Sequence, residues 1–82
     1  MPVRSRVKVL LYEWNLERVR AGDKPLSLHG LAKATGLAPS ALRKLANNES
    51  GRVDFETLDR LMRFFGTNDL RDLLEYRPDH AP

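Results

Sequence analysis

From Ser27 to Asn48 the chain reads SLHGLAKATGLAPSALRKLANN, and the spacing of its apolar residues, its two glycines and its one proline decides the fold. Leu26 and Leu31 bracket Ser27 at the spacing of a hydrophobic staple, with Ser27 as helix N-cap. Leu28, Leu31, Ala34 and Thr35 then fall on one side of a short helix, which leaves His29 and Lys33 on the other. Gly36 ends that helix, because the residue just past a C-terminus commonly takes a left-handed backbone that glycine adopts at least cost. Pro39 suits the first turn of a second helix, where its missing N–H would have no partner anyway.

At 3.6 residues per turn, Ala41, Leu42, Leu45 and Ala46 make an apolar face on this second helix. Ser40, Arg43, Lys44 and Asn47 make the opposite, polar one. A core-facing side and a face of hydrogen-bond donors, on a helix entered through a tight turn, is the geometry of a helix-turn-helix. The same pattern also fits an ordinary helical hairpin with a solvated basic face.

The wider pattern resembles the Cro/C1 (Xre-type) repressor family. Ala32, Gly36 and the apolar Leu31, Leu37, Leu42 and Leu45 stand where its helix-turn-helix has them. The likeness continues through Val53 to Leu58, Leu61 and Phe65-Gly66, then Asp72 to Tyr76, and spans roughly Val7 to Pro78. It implies an all-α, five-helix, lambda-repressor-like DNA-binding domain with the helix-turn-helix at helices 2 and 3. Two departures are visible. Leu28 stands where relatives often carry a backbone-gripping glutamine, and Gly30 lies inside a helix, where it costs about 1 kcal/mol against alanine.

Eighty-two residues make one small domain, here expected over 1–82 with an N-terminal arm at 1–6 and a tail at 78–82. With hydrophobic residues at 41% and charged ones at 30%, the chain reads as folded rather than disordered. It has no cysteine, hence no disulfide framework, and its longest apolar run, Val9 to Tyr12, is far too short to span a bilayer. A cytoplasmic protein without membrane contact is the expectation. Charge is unevenly spread. Through Val53 ten basic residues face four acidic ones, whereas from Asp54 onward four arginines face seven acids. A basic half that carries the helix-turn-helix is the polarity of a nucleic-acid binder.

Val3 to Val9 alternates apolar and basic residues and reads as a short strand, a basic arm or the start of helix 1. A strand there would pair with Glu75-Tyr76-Arg77. Helix 1, over about Val7 to Arg20, carries two apolar stripes. Val7, Leu10, Leu11 and Trp14 form one; Val9, Tyr12, Leu16 and Val19 lie nearly opposite, to be covered by the domain or by another subunit. Ala21 to Pro25 is a loop. Asp54 is a good N-cap for helix 4, whose core face reads Phe55, Leu58, Leu61, Met62 and Phe65 before Gly66 closes it. Helix 5 is expected to start near Thr67-Asn68, to bury Leu70, Leu73 and Leu74, and to end before Pro78.

An enzyme has little to stand on. His29 and His80 lack a cysteine or carboxylate cluster at metal-ligand spacing, and the acidic strip Asp69, Asp72 and Glu75 reads as solvated. No metal, cofactor or small-molecule ligand is expected. For duplex DNA, Arg43 is suited to fork onto guanine, with Lys44 beside it. The resemblance places Pro39, Ser40 and Arg43 against bases and Asn47 and Asn48 against the backbone. Lys33 and Arg52 are expected phosphate contacts, and His29 is a candidate for the same role. A homodimer is expected, with Phe64 and Tyr76 as its contact residues. The function expected is a sequence-specific transcriptional regulator, a repressor acting by operator occupancy. The alternative is an interaction module, such as an antitoxin-like partner, that keeps the fold without binding DNA.

Overall fold

The structure, a computed structural model, describes residues 2–49 and 51–78. Along the chain run β1 (Val3–Ser5), α1 (Val7–Arg20), α2 (Leu28–Thr35), α3 (Pro39–Ala46) and α4 (Phe55–Phe65). A single 3-10 turn (Leu70–Asp72) and β2 (Leu74–Tyr76) follow.

The central pair forms as its local chemistry dictates. The Ser27 hydroxyl accepts the Gly30 N–H at 3.0 Å and closes the first turn of α2. Gly36 ends α2 with φ of 75°, and the Leu37 N–H reaches back to the Ala32 carbonyl at 3.0 Å. Pro39 then opens α3. Gly30 also has a packing reason for its place. A Cβ there would stand 2.7 Å from Leu26 Cδ1, so the missing side chain lets the staple residue fold over the helix. Replacing Ser27 by alanine should lower stability by about 1 kcal/mol, read as a shifted urea midpoint at unchanged slope; no shift would deny the cap its role.

The core is drawn from every helix. Val7 and Leu11 of α1, Leu31 and Ala32 of α2, Leu42, Leu45 and Ala46 of α3, and Leu58 and Leu61 of α4 are buried together with Leu73. Trp14, Phe64 and Phe65 extend it as an aromatic cluster, with ring centroids 5.0 Å apart for Trp14–Phe64 and 5.2 Å for Phe64–Phe65. Asp54 caps α4 by accepting the Thr57 N–H at 2.8 Å, and its carboxyl is held below the usual range by hydrogen bonding from Thr57, from the side chain first and then from this N–H.

The five-helix, all-α expectation needs correction: among the described residues there are four α-helices and a two-stranded sheet. β1 and β2 pair antiparallel, Val3 opposite Tyr76, Arg4 opposite Glu75 and Ser5 opposite Leu74. The strand form of the N-terminal segment is thus the one adopted. Helix 5 is reduced to one turn. Asp69 turns its carboxylate back onto the Arg71 N–H, and the Thr67 hydroxyl donates to the Asp72 carboxylate, so only one tight turn forms. The few residues left before Pro78 are too short a helix to hold alone. Pairing with the N-terminal strand satisfies their backbone instead, from Arg6 N–H to Leu73 carbonyl at 2.6 Å through Arg77 N–H to Pro2 carbonyl at 2.6 Å.

Three burial expectations also change. Phe55 sits in the first turn of α4, beyond the reach of the core, and is 89% exposed. Of the three leucines expected inside, Leu73 is buried, Leu74 is half-buried and Leu70 is exposed. Ala34 and Ala41, at the margins of their apolar faces, are exposed as well.

Candidate nucleic-acid interface

The N-terminal half of α3 stands between two clefts. Leu28, His29, Pro39, Ser40 and Arg43 line the one toward α2. Ser40, Lys44, Arg52, Val53, Asp54 and Thr57 border the other, toward the start of α4, and Ser40 belongs to both. The proposed base-contacting set Pro39, Ser40, Arg43 and Lys44 therefore lies along one exposed ridge, flanked by His29 on one side and Arg52 on the other. Lys33 is exposed on α2 and Asn47 at the end of α3.

Asn48 has a structural task. It takes a left-handed φ of 60°, and its side-chain oxygen accepts the Ser5 N–H at 2.6 Å, which ties the end of α3 to β1. Phe64 is half-buried within the aromatic cluster, whereas Tyr76 on β2 is 69% exposed.

The electrostatics differ sharply between the two halves. Arg60, Arg63, Arg71 and Arg77, all the arginines after residue 54, each have a nearby acid: Glu56 at 2.8 Å, Asp59 at 2.9 Å, Asp69 at 2.8 Å and Glu75 at 3.4 Å. The Asp69 carboxyl is held low by its bonds to Arg71, and Arg71 is raised in turn. In contrast, Lys33, Arg43 and Lys44 are exposed and make no ion pair among the described residues. Positive charge without an ion pair among the described residues thus stays in the first half of the chain, on Arg4, Arg6, Lys8, Arg18 and Lys24 as well as on these three of the helix-turn-helix. The start of α3 adds to it. Ser27 and Asp54 cap α2 and α4 through their side chains, but Ala38 gives α3 no side-chain acceptor, so its first-turn amides keep their affinity for an outside anion.

Two residues that set this geometry were not legible from pattern alone. Asn15 of α1 grips Leu26 in both directions, its amide donating to the carbonyl at 2.8 Å and its oxygen accepting the N–H at 2.7 Å. This clamp fixes the end of the long loop where α2 begins. Arg60 of α4 donates to the Thr35 carbonyl at 3.1 Å and so holds the turn between α2 and α3. A Cβ at position 36 would come within 2.7 Å of that guanidinium, a second reason for glycine in the turn.

The family model for the Cro/C1-type HTH DNA-binding domain matches residues 16–79, more than three quarters of the chain. The chain belongs to the Cro/C1-type helix-turn-helix family. This Cro/C1-type domain is therefore of a DNA-binding type, with α2 and α3 inside the matched residues. The match opens at Leu16, so β1 and most of α1 lie ahead of it. No curated protein and no solved structure matches the chain. None of the helices among the described residues is long and apolar enough to cross a membrane.

Proposed function

We propose that the chain is a sequence-specific regulator of transcription that binds duplex DNA through α3 and represses by occupying its site. The observation that supports this most is the contrast in charge pairing: the arginines after residue 54 carry their own acids, while Lys33, Arg43 and Lys44 do not. Phosphates supply what those cations lack, and the ridge of α3 has the width to enter a major groove. Pro39, Ser40, Arg43 and Lys44 meet base edges. His29, Lys33, Asn47 and Arg52 hold the flanking backbone, together with whatever the Asn48 amide reaches beyond its bond to Ser5. One such helix reads only a few base pairs, so two copies bind a pseudo-palindromic site with half-sites about 34 Å apart.

The test is a salt titration of binding to labelled duplex. With about four phosphate contacts the log of affinity should fall with log salt at a slope near −3.6. Affinity unchanged between low and physiological salt would contradict the reading.

A further inference from the structure

We propose that β1 serves DNA binding without touching DNA: its Ser5 N–H orients the Asn48 amide, so that the amide's own N–H groups face a phosphate. This rests on the reading above, in which Asn48 lies against the DNA backbone, and it makes Ser5 a positioning residue for that contact.

The strand leaves the Ser5 N–H available for the task. Arg6 N–H bonds to the Leu73 carbonyl and Arg77 N–H to the Pro2 carbonyl, with Arg4 opposite Glu75, so residues 2, 4 and 6 turn their backbone groups toward β2. In an antiparallel ladder the residues between them face the other way, and Ser5 N–H points out of the outer edge of the sheet. There it meets the Asn48 side-chain oxygen at 2.6 Å. An N–H donates only to an acceptor, so the amide has one sense: Oδ1 toward Ser5, and Nδ2 with its two donors turned away.

Asn48 is held at its other end as well. Its N–H returns to the Leu45 carbonyl at 3.1 Å, and the next N–H, of Glu49, returns to the Lys44 carbonyl at 2.8 Å. These bonds close α3 around the left-handed φ of 60° at Asn48. The end of α3 thus fixes the backbone, and β1 fixes the far end of a short side chain. The residue is exposed, and Arg52 lines the same groove as Ser5 and Asn48. A phosphate has the matching chemistry, since it accepts from neutral amides as well as from cations. A donor held in place before binding also loses less freedom on contact than a mobile one. The family match opens at Leu16, so this support comes from outside the matched residues.

Binding to labelled random-sequence duplex over a range of salt tests the proposal, because a phosphate contact acts on every sequence. Asn48→Gly keeps the left-handed backbone and removes the amide. It should weaken binding about tenfold for each copy bound, with the salt slope unchanged, because a neutral donor displaces no counterion. Ser5→Pro removes the orienting N–H and should weaken binding about fivefold; adding Asn48→Gly to it should then cost about twofold more, not tenfold. Ser5→Ala keeps that N–H and loses only the hydroxyl that accepts Val7 N–H at 3.1 Å, so it should bind as the wild type does. Circular dichroism confirms that each variant is folded. A measurement on the free wild-type chain needs no variant: nitrogen relaxation should find the Asn48 side-chain amide as rigid as ordered backbone, with an order parameter of about 0.85. An amide mobile below about 0.6 would overturn the proposal. So would Asn48→Gly binding as tightly as wild type, a loss that comes with a smaller salt slope, or independent losses in the double variant. A wild-type chain that binds no duplex at any salt would overturn the underlying reading and this inference together. Salt-dependent wild-type binding with Asn48→Gly unaffected would overturn this inference alone.

Discussion

Arg43→Ala should lower affinity for the preferred duplex by about 1–3 kcal/mol while leaving binding to random duplex far less affected. Arg43 is exposed on α3, lines the cleft toward α2 and has no ion pair among the described residues. Its planar fork is therefore available for the paired acceptors of a guanine edge, a bond lost entirely on truncation. The change should appear as a relaxed preference at one base pair in each half-site. Lys33→Ala is the contrasting case. A point charge on a phosphate carries no sequence information, so specific and random duplex should weaken alike and the salt slope should shrink by about one for each copy bound. Equal losses on both duplexes in Arg43→Ala would remove that residue from base readout.

The largest effect on stability should come from Leu61→Ala. Leu61 is fully buried, near the middle of α4, among side chains from the other helices. Truncating it removes transfer energy and leaves a cavity, a loss of about 2–5 kcal/mol. Native domains hold only about 5–15 kcal/mol, and one this small belongs near the lower end. The variant should therefore unfold at a much lower denaturant concentration. Phe55→Ala, six positions earlier on the same helix, should change stability by less than about 0.5 kcal/mol, because that ring is 89% exposed. Equilibrium unfolding of both variants checks the pair of statements together. A large loss at Phe55 would mean that the ring packs against the domain.

Much of the fold can be read from neighbouring residues because its signals are local. The caps at Ser27 and Asp54 act over three residues, and the turn at Gly36 needs only a left-handed backbone. The end of the chain is different. Leu70, Leu73 and Leu74 carry helical spacing, yet the bonds made by Thr67 and Asp69 confine the segment to one tight turn, and the competing partner, Val3 to Ser5, lies some seventy positions away. The choice between helix and strand is settled by tertiary pairing, which periodicity does not encode. Phe55 shows the same limit in another form. It shares the stripe of Leu58 and Leu61, but the first turn of α4 extends beyond the core that the stripe serves.

The site divides in a similar way. Pro39, Ser40, Arg43 and Lys44 are legible because one helix presents them together, and the structure gathers His29 and Arg52 beside them. Asn15 and Arg60 give no signal in a linear reading. Each looks like an ordinary surface residue until the loop it clamps, or the turn it holds, is folded against it. Asn48 is legible as a residue at the end of the recognition helix, but its bond to the Ser5 N–H depends on β1 arriving from the far end of the chain.

The central claim, that α3 reads duplex sequence, is tested most directly by selecting bound duplexes from a random library with the wild-type chain. The account predicts enrichment of one motif made of two inverted half-sites, about 10–10.5 base pairs between centres. A pool that remains as random after repeated selection as at the start would contradict it.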